Sequence, residues 1–358
     1  MTVMEQYKVG ILGATGLVGQ RLVERIDGHP WFDLVAVAAS ERSVGRRYAE
    51  ACGWTLSQDP PAAAAGMTVL SCGPEELDGC DLVLSALDAE VAREVEPRFA
   101  GAGFAVVSNS SAFRNRPEVP LLIPEVNGHH ADLLDGAERR DSAGYIVTNP
   151  NCSVTGLAMA LAPLHLAFGV RRAVVATMQA VSGAGSEGPR AIELVDNVIP
   201  YVAGEEEKIE PEVRKILGEP EEGRVTPASM RVSAHCHRVP TLDGHLEALS
   251  VELEGNPGPG EAIEALEGFR GRVVDLALPS APERPIAVRR EADRPQPRLD
   301  RDAGGGMTVV VGRVRACSAL GLKLVLLSHN TVRGAAGGTL LNAELLAAKG
   351  LLPRRTTP

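Results

Sequence analysis

The chain has 358 residues, more than one hydrophobic core usually organises, so two domains are expected. Apolar residues make up 44% and charged residues 23%, an ordinary globular balance, and the net charge of -10 argues against a partner that presents a phosphate backbone. No apolar run approaches the roughly 20 residues that span a bilayer, and the polar start from Met1 to Lys8 leaves no room for a signal peptide, so neither membrane nor nucleic acid is expected.

Tyr7-Lys-Val-Gly-Ile-Leu12 reads as a buried strand, followed by a glycine-rich turn and a helix from Leu17 to Ile26 with Val18, Leu22 and Ile26 on one face. Gly28-His29-Pro30 stops that helix, and Asp33 to Ala39 has the length and apolar content of a second strand. Strand, turn, helix and strand in this order make a βαβ unit and imply a parallel sheet. The alternation continues through a strand at Asp81 to Ala86, a helix at Ala89 to Phe99 and a strand at Phe104 to Ser108. Up to residue 148 the chain therefore reads as a doubly wound nucleotide-binding domain. Beyond it, Arg172 to Ala180, His245 to Glu252 and Met307 to Arg315 are strand-like but spaced too irregularly for more βαβ units, which predicts a larger mixed sheet. Residues 255–305, rich in Pro, Gly and charge, read partly as loop, and Ala336 to Lys349 reads as a last helix.

Gly13-Ala-Thr-Gly16-Leu-Val-Gly19 joins the first strand to the first helix. Glycines there allow a tight turn and let backbone N–H groups approach a pyrophosphate at the helix N-terminus, so a dinucleotide is expected at Gly13, Thr15, Gly16, Leu17 and Val18. After the second strand come Ser40, Arg42 and Ser43, then Arg46 and Arg47; hydroxyls and guanidinium groups suit a 2′-phosphate and favour NADP, with Glu41 required to point away.

Six cysteines, Cys52, Cys72, Cys80, Cys152, Cys236 and Cys317, form no C-x-x-C pair, so no zinc site or disulfide framework is indicated and a reducing cytoplasm is expected. Cys152 stands apart, because Pro150 precedes a helical pattern from Ser153 to Leu166 and places this thiol at a helix N-terminus. Unpaired N–H groups and the helix dipole should lower its pKa below the free value of roughly 8.5. Among eight histidines, His245 follows a Pro- and Gly-containing turn at the mouth of a strand and is the candidate acid/base. His129 and His130 read as surface, and His235-Cys-His237 lacks the further ligands a metal needs, so no metal is expected.

Gly13 to Gly19, Ser108-Asn-Ser-Ser-Ala-Phe-Arg114, Asn149-Pro-Asn-Cys152, Gln179-Ala-Val-Ser-Gly-Ala-Gly185 and Arg238-Val-Pro to Gly-His245 occur in this order. In that order they resemble the aspartate-semialdehyde dehydrogenases, and Pro297 to Asp302 with Ser328 to Gly338 looks like the archaeal and fungal branch of that family. The resemblance covers residues 7 to 346. It implies a Rossmann-type NADP-binding domain over 1–148, completed by a C-terminal helix in 331–358, and an α+β catalytic and dimerisation domain over 149–330.

It further implies Cys152 as nucleophile, His245 as general acid/base and Gln179 as the group orienting the carbonyl. Arg238 would clamp the substrate carboxylate, and Glu205 would face the amino group, with Glu206 and Glu207 left open as alternatives. Lys208, Arg114 and Asn151 would hold inorganic phosphate, and Leu87, Ser182, Gly183 and Asn330 would add cofactor contacts. The implied reaction is reversible, NADP-dependent reduction of β-aspartyl phosphate to aspartate semialdehyde in the route to lysine, methionine and threonine, by a homodimer or homotetramer. One departure is visible: where the family often has Ser-Ala-Leu-Pro, this chain has Ser85-Ala-Leu-Asp88. The competing readings are a malonyl-CoA reductase-type paralogue with the same cysteine chemistry and a non-catalytic NADP sensor, the latter opposed by the presence of Cys152, Gln179, Arg238 and His245.

Overall fold

The structure is a computed structural model that describes residues 6–134, 144–188 and 191–353, so the ends of the expected domain ranges, 1–5 and 354–358, lie outside the described residues. Six strands, β1 (Tyr7–Leu12), β2 (Phe32–Ala38), β3 (Val69–Leu70), β4 (Leu82–Ser85), β5 (Ala105–Ser108) and β6 (Tyr145–Thr148), form one parallel sheet in the order β3-β2-β1-β4-β5-β6. Their near-continuous apolar character follows from burial on both faces. The order reverses at β1, between β2 and β4, and such a switch point opens a crevice at the carboxyl ends of the strands. Helix α1 (Leu17–Ile26) and helix α2 (Ala89–Gly101) fall where the apolar periodicity predicts them.

The second sheet is mixed, as expected. Its strands are β7 (Val170–Gln179), β10 (Arg231–Arg238), β11 (His245–Leu253), β12 (Ile286–Arg289), β13 (Val309–Cys317) and β14 (Gly321–Ser328), in the order β10-β7-β11-β14-β13-β12. A small hairpin, β8 (Glu219–Glu221) with β9 (Arg224–Thr226), stands outside it. Helix α3 (Cys152–Phe168) is buried from Ser153 to Leu164 without interruption, because it lies on this sheet while other elements close over its far side. Helix α4 (Glu206–Ile216), which the sequence signals only as a possible helix start at Glu205 to Lys208, packs against α3 and β10.

The chain then returns to the first sheet. Helix α5 (Pro259–Gly268) flanks α3, and helix α6 (Gly337–Ala348) places Leu340, Leu341, Leu345 and Leu346 in one core with Val9, Ile11, Leu84 and Val107. Just before α6, Arg333 forms two 2.7 Å bonds to the Glu125 carboxylate, with both side chains almost wholly buried. A bidentate guanidinium–carboxylate pair satisfies both ions at once, and removing either partner strands a buried charge.

One expectation is corrected here. His130 is not on the surface: it is fully buried, its Nδ1 3.1 Å from Asn127 Nδ2 and its Nε2 3.1 Å from the Gly218 carbonyl. The ring satisfies both contacts only as a neutral imidazole, and burial, aided by the charge of His129, pushes it down to about 4. His245 and His329 are likewise buried and pushed down, chiefly by burial, to about 3 and about 4. The unfolded chain protonates these rings near pH 6.5 while the folded chain does not, so the stability present above pH 6.5 is lost as pH falls toward 4. Urea titrations across this window are expected to show stability rising with pH by up to roughly 4 kcal/mol per unit, about 1.4 for each ring; a flat profile would mean that the rings titrate in the folded protein.

Candidate active site

Four side chains from four strands share one lateral row of the second sheet. Arg238 pairs with Gln179, His245 pairs with Ser328, and the Leu246–Met178 register brings His245 beside Gln179. Strand side chains alternate with period two, so all four point to the face that meets α3. That face also receives Cys152, the first residue of α3, with Sγ 3.2 Å from His245 Nε2.

Asn151 is the N-cap that sets this thiol. Its Oδ1 accepts the N–H groups of Ser153 at 2.9 Å and Val154 at 3.4 Å, closing two of the donors that a helix start leaves open. From the other side, Gly334 lies so close that a Cβ there would come within 2.9 Å of Cys152 Cα and Cβ. The segment before α6 thus abuts Cys152 directly, a contact no linear motif reveals.

The His245 ring is oriented from behind. The Ala180 N–H donates to Nδ1 at 3.0 Å, so the neutral ring carries its proton on Nε2, the nitrogen that faces sulfur. Gln179 Nε2 donates to Ser153 Oγ at 3.0 Å and lies 3.4 Å from Glu205 Oε2. Arg238, largely buried, donates from Nη1 to the Ala180 carbonyl at 2.6 Å.

The three glutamates left open by the sequence differ in where they lie. Glu205 is buried and accepts from Asn151 Nδ2 at 2.8 Å and from Lys208 Nζ at 2.9 Å. Glu206 instead receives the Cys236 N–H on the sheet, and Glu207 is exposed. Burial alone would raise the Glu205 carboxyl, but the Lys208 charge and the bonds from Lys208 and Asn151 outweigh it and hold the group below the usual range. The thiol behaves differently from expectation. Burial, with Glu205 adding to it, pushes Cys152 up to about 12, and the pull of Arg114, Arg238 and the Ser153 N–H does not compensate. The helix N-terminus favours a thiolate, yet desolvation beside a carboxylate wins.

Helix α4 supplies more than the sequence indicated. Glu205, Lys208, Glu212 and Lys215 recur at helical spacing on one side of it. Glu212 accepts the Asn151 N–H at 2.7 Å and lies 3.4 Å from Arg114 Nη1. Lys215 donates to the carbonyls of Arg114, Arg116 and Val119 at 2.8, 2.5 and 2.7 Å, tying down the loop that carries Arg114. Arg114 also donates from Nη2 to the Asn109 carbonyl at 2.7 Å. Glu212 and Lys215 escaped the sequence reading because a charged helix with Pro211 inside it looks like a solvated one.

At the switch point of the first sheet, Gly13 has φ +74° and a Cβ there would meet the Ala86 carbonyl at 2.7 Å. Gly19 is equally constrained, since a Cβ would lie 2.2 Å from the Gly13 carbonyl. Gly16 caps α1 without a side-chain bond, which leaves the first N–H groups of Leu17 and Val18 for an anion. Thr15 lies on the same turn, and Leu87 follows β4 beside it. Ser40 and Arg42 are exposed in the turn after β2, with Ser43 bonded back to Ser40. Just after β14, Asn330 accepts the Gly244 N–H and donates to Ser182 Oγ, both at 2.8 Å.

Gly183 has a different neighbourhood from the glycine loop. A Cβ on it would sit 2.9 Å from His245 Cε1 and 3.1 Å from Arg238 Nη1. Gly183→Ala is therefore expected to wedge these two groups apart and lower kcat/KM by about 10²-fold with little change in melting temperature, since misplacement of reacting groups by an ångström costs about that much. Steady-state kinetics beside a thermal melt would check it, and wild-type kinetics would show that the ring and guanidinium yield without consequence.

Family models for the semialdehyde dehydrogenase NAD binding domain and the semialdehyde dehydrogenase dimerisation domain match residues 8–134 and 161–333. An aspartate-semialdehyde dehydrogenase of Methanothermobacter thermautotrophicus is 50% identical over 341 residues, covering 94% of this chain and 98% of that protein. The chain belongs to the aspartate-semialdehyde dehydrogenase family. Among solved structures of that family, the Candida albicans enzyme with NADP superposes with a TM-score of 0.91 at 40% identity, covering 97% of this chain and 100% of that one. The Vibrio cholerae aspartate-semialdehyde dehydrogenase II complexed with ASA has a TM-score of 0.75 at 28% identity, over 96% of this chain and 98% of that one. Among the described residues, no helix is long and apolar enough to cross a membrane.

Proposed function

We propose that the chain catalyses the reversible, NADP-dependent reductive dephosphorylation of β-aspartyl phosphate to aspartate semialdehyde, a step that feeds lysine, methionine and threonine synthesis in the cytoplasm. The observation that carries this reading is the 3.2 Å contact between Cys152 Sγ, at the first turn of α3, and His245 Nε2, in one row with Gln179 and Arg238. Gly13, Thr15, Gly16, Leu17 and Val18 would hold the NADP pyrophosphate, and Ser40, Arg42 and Ser43 its 2′-phosphate. Leu87, Ser182, Gly183 and Asn330 would line the nicotinamide side. The positive φ of Gly13 and the uncapped start of α1 fit that group. When bound, the cofactor supplies or removes the hydride.

Arg238 would clamp the substrate carboxylate and Glu205 its ammonium group. That ammonium neutralises the charge which, after burial, most opposes a Cys152 thiolate, so substrate binding itself favours the nucleophile. Cys152, its thiol proton released to solvent, then adds as the thiolate to the aldehyde carbon, and the developing oxyanion takes hydrogen bonds from His245 Nε2–H and Gln179 Nε2. A thioester on Cys152 follows oxidation. Phosphate, held by Arg114, Lys208 and Asn151, attacks the thioester carbon, and the thiolate leaves. Because Ala180 occupies Nδ1, His245 serves as a neutral donor through these steps. The buried Glu205 carboxylate favours an amino-bearing substrate over malonyl-CoA, which offers it no cation.

The same reading divides the chain into a cofactor unit, 1–148 with 331–358, and a catalytic and dimerisation unit, 149–330. The face of the second sheet opposite α3 leaves Val174, Ser233, His235 and Ala248 exposed, and an uncovered sheet face of this kind suits a homodimer contact, with a tetramer as a further assembly. The test is NADP reduction with aspartate semialdehyde and phosphate, run beside malonyl-CoA with NADPH. Phosphate-dependent turnover on the semialdehyde is expected; activity confined to malonyl-CoA would keep the cysteine chemistry and overturn the substrate.

A further inference from the structure

We propose that Glu212 is the counter-charge of the phosphate subsite and that a phosphate dianion enters only with a proton taken up on this carboxyl. The proposal rests on Arg114, Lys208 and Asn151 being the phosphate ligands. Each of these three is already engaged by a carboxylate. Lys208 bonds Glu205 Oε1, Asn151 gives Nδ2 to Glu205 and its N–H to Glu212, and Arg114 lies against Glu212 Oε1. The two cations and two carboxylates sum to zero, so the subsite has no net charge to offer an ion of charge about −2.

A buried dianion beside two carboxylates is costly unless one charge is removed. Glu205 is the wrong candidate, because its charge faces the substrate ammonium and Lys208 holds it ionised. Glu212 is the right one. It is almost wholly buried, burial already raises its carboxyl above the usual range, and the bonds from Arg114 and Asn151 only partly offset this. Arg114 itself is buried, held by a 2.7 Å bond from Nη2 to the Asn109 carbonyl, while Nε is unpartnered and Nη1 makes only a long 3.4 Å contact to Glu212, so Nε and Nη1 are the donors it can give to an incoming anion. Once protonated, Glu212 keeps Oε2 as acceptor for the Asn151 N–H, so the cap of α3 survives the change.

The other charged groups near Glu212 can be separated from it. From the loop after β5 this is Arg114; from α4, Glu205 and Lys215, the last of which also faces Glu118; and Cys152, at the start of α3, shares Glu205 and Arg114 with it. Lys215 is pushed down to about 8, mainly by burial, and titrates at the upper end of the working range; Cys152, near 12, does not.

Sulfate is the probe, because it stays a dianion throughout and any pH dependence belongs to the protein. Its inhibition constant against phosphate is measured from pH 6 to 9. For the wild type it is expected to weaken about tenfold per pH unit once Glu212 ionises. Glu212→Gln keeps the volume and an acceptor for Asn151; it is expected to flatten the profile and to bind sulfate about tenfold more tightly at pH 8. A glutamine variant with the wild-type slope, or with weaker sulfate binding, would overturn the proposal, and a residual slope near pH 8 alone would assign it to Lys215 instead. Titration calorimetry of the wild type in two buffers of different ionisation enthalpy reads the proton directly. About one proton taken up per sulfate at pH 7.5 is expected, and none would sink the idea even if the variant failed to fold. Arg114→Leu separates the two layers of the argument. Unchanged sulfate and phosphate constants there would remove the subsite reading itself, whereas weakening there with a pH-flat wild type would remove only the role of Glu212.

Discussion

Cys152→Ala is expected to lower phosphate-dependent NADP reduction by at least ~10⁴-fold while NADPH binding stays within about threefold of wild type. The Cβ that packs against Gly334 is retained, and so is the Asn151 cap, so only the sulfur leaves. No other thiol can replace it. Cys236 is buried on β10, two residues from Arg238, and burial pushes it up to about 11. Cys52 and Cys72 lie by the glycine turn and the end of β2, bonded to the Thr15 and Ala39 carbonyls. Activity assays paired with NADPH fluorescence titration separate chemistry from binding. Loss of cofactor affinity in the variant would mean that the sulfur also supports the crevice.

His245→Ala is expected to cost about 10³-fold in kcat, within the usual range for a group that moves or shares a proton. His245→Gln should recover about tenfold of that, because its terminal amide can present an N–H near the position of Nε2. The pH profile decides between two roles for the ring. With Ala180 N–H on Nδ1 and the ring pushed down to about 3, it stays neutral from pH 5 to 9, so kcat/KM should show no limb near 6.5 that the glutamine variant abolishes. Such a limb would show that the ring cycles through its charged form, and the neutral-donor mechanism would then fall.

Local pattern carried much of the architecture. β1 and α1 lie at the residues the periodicity marked, because a buried parallel strand and an amphipathic helix are both written in a short window. The Cys152 helix start was legible for the same reason, Pro150 and Asn151 being local signals. The row of Arg238, Gln179, His245 and Ser328 was not, since strand register is settled by packing between segments far apart in sequence. Glu212 and Lys215 were missed because a charged side chain reads as solvated until its buried partners are known. His130 shows the converse, two adjacent polar residues in a loop of which one is sealed inside. The elevated Cys152 thiol is a matter of surroundings too, since a motif records the helix N-terminus and not the carboxylate beside it.

The return of α6 to the first sheet, with Gly334 against Cys152, has a bearing on biogenesis. Residues 332–346 are synthesised after almost everything they touch. A nascent chain can pair β1 to β6 early, but its first core lacks four leucines, and Glu125 lacks Arg333, until that stretch leaves the ribosome. Cys152 therefore acquires the wall at Gly334 only after that later stretch has emerged. A thiol that is enclosed last spends the earlier part of folding open to water, before the burial that raises its pKa is complete.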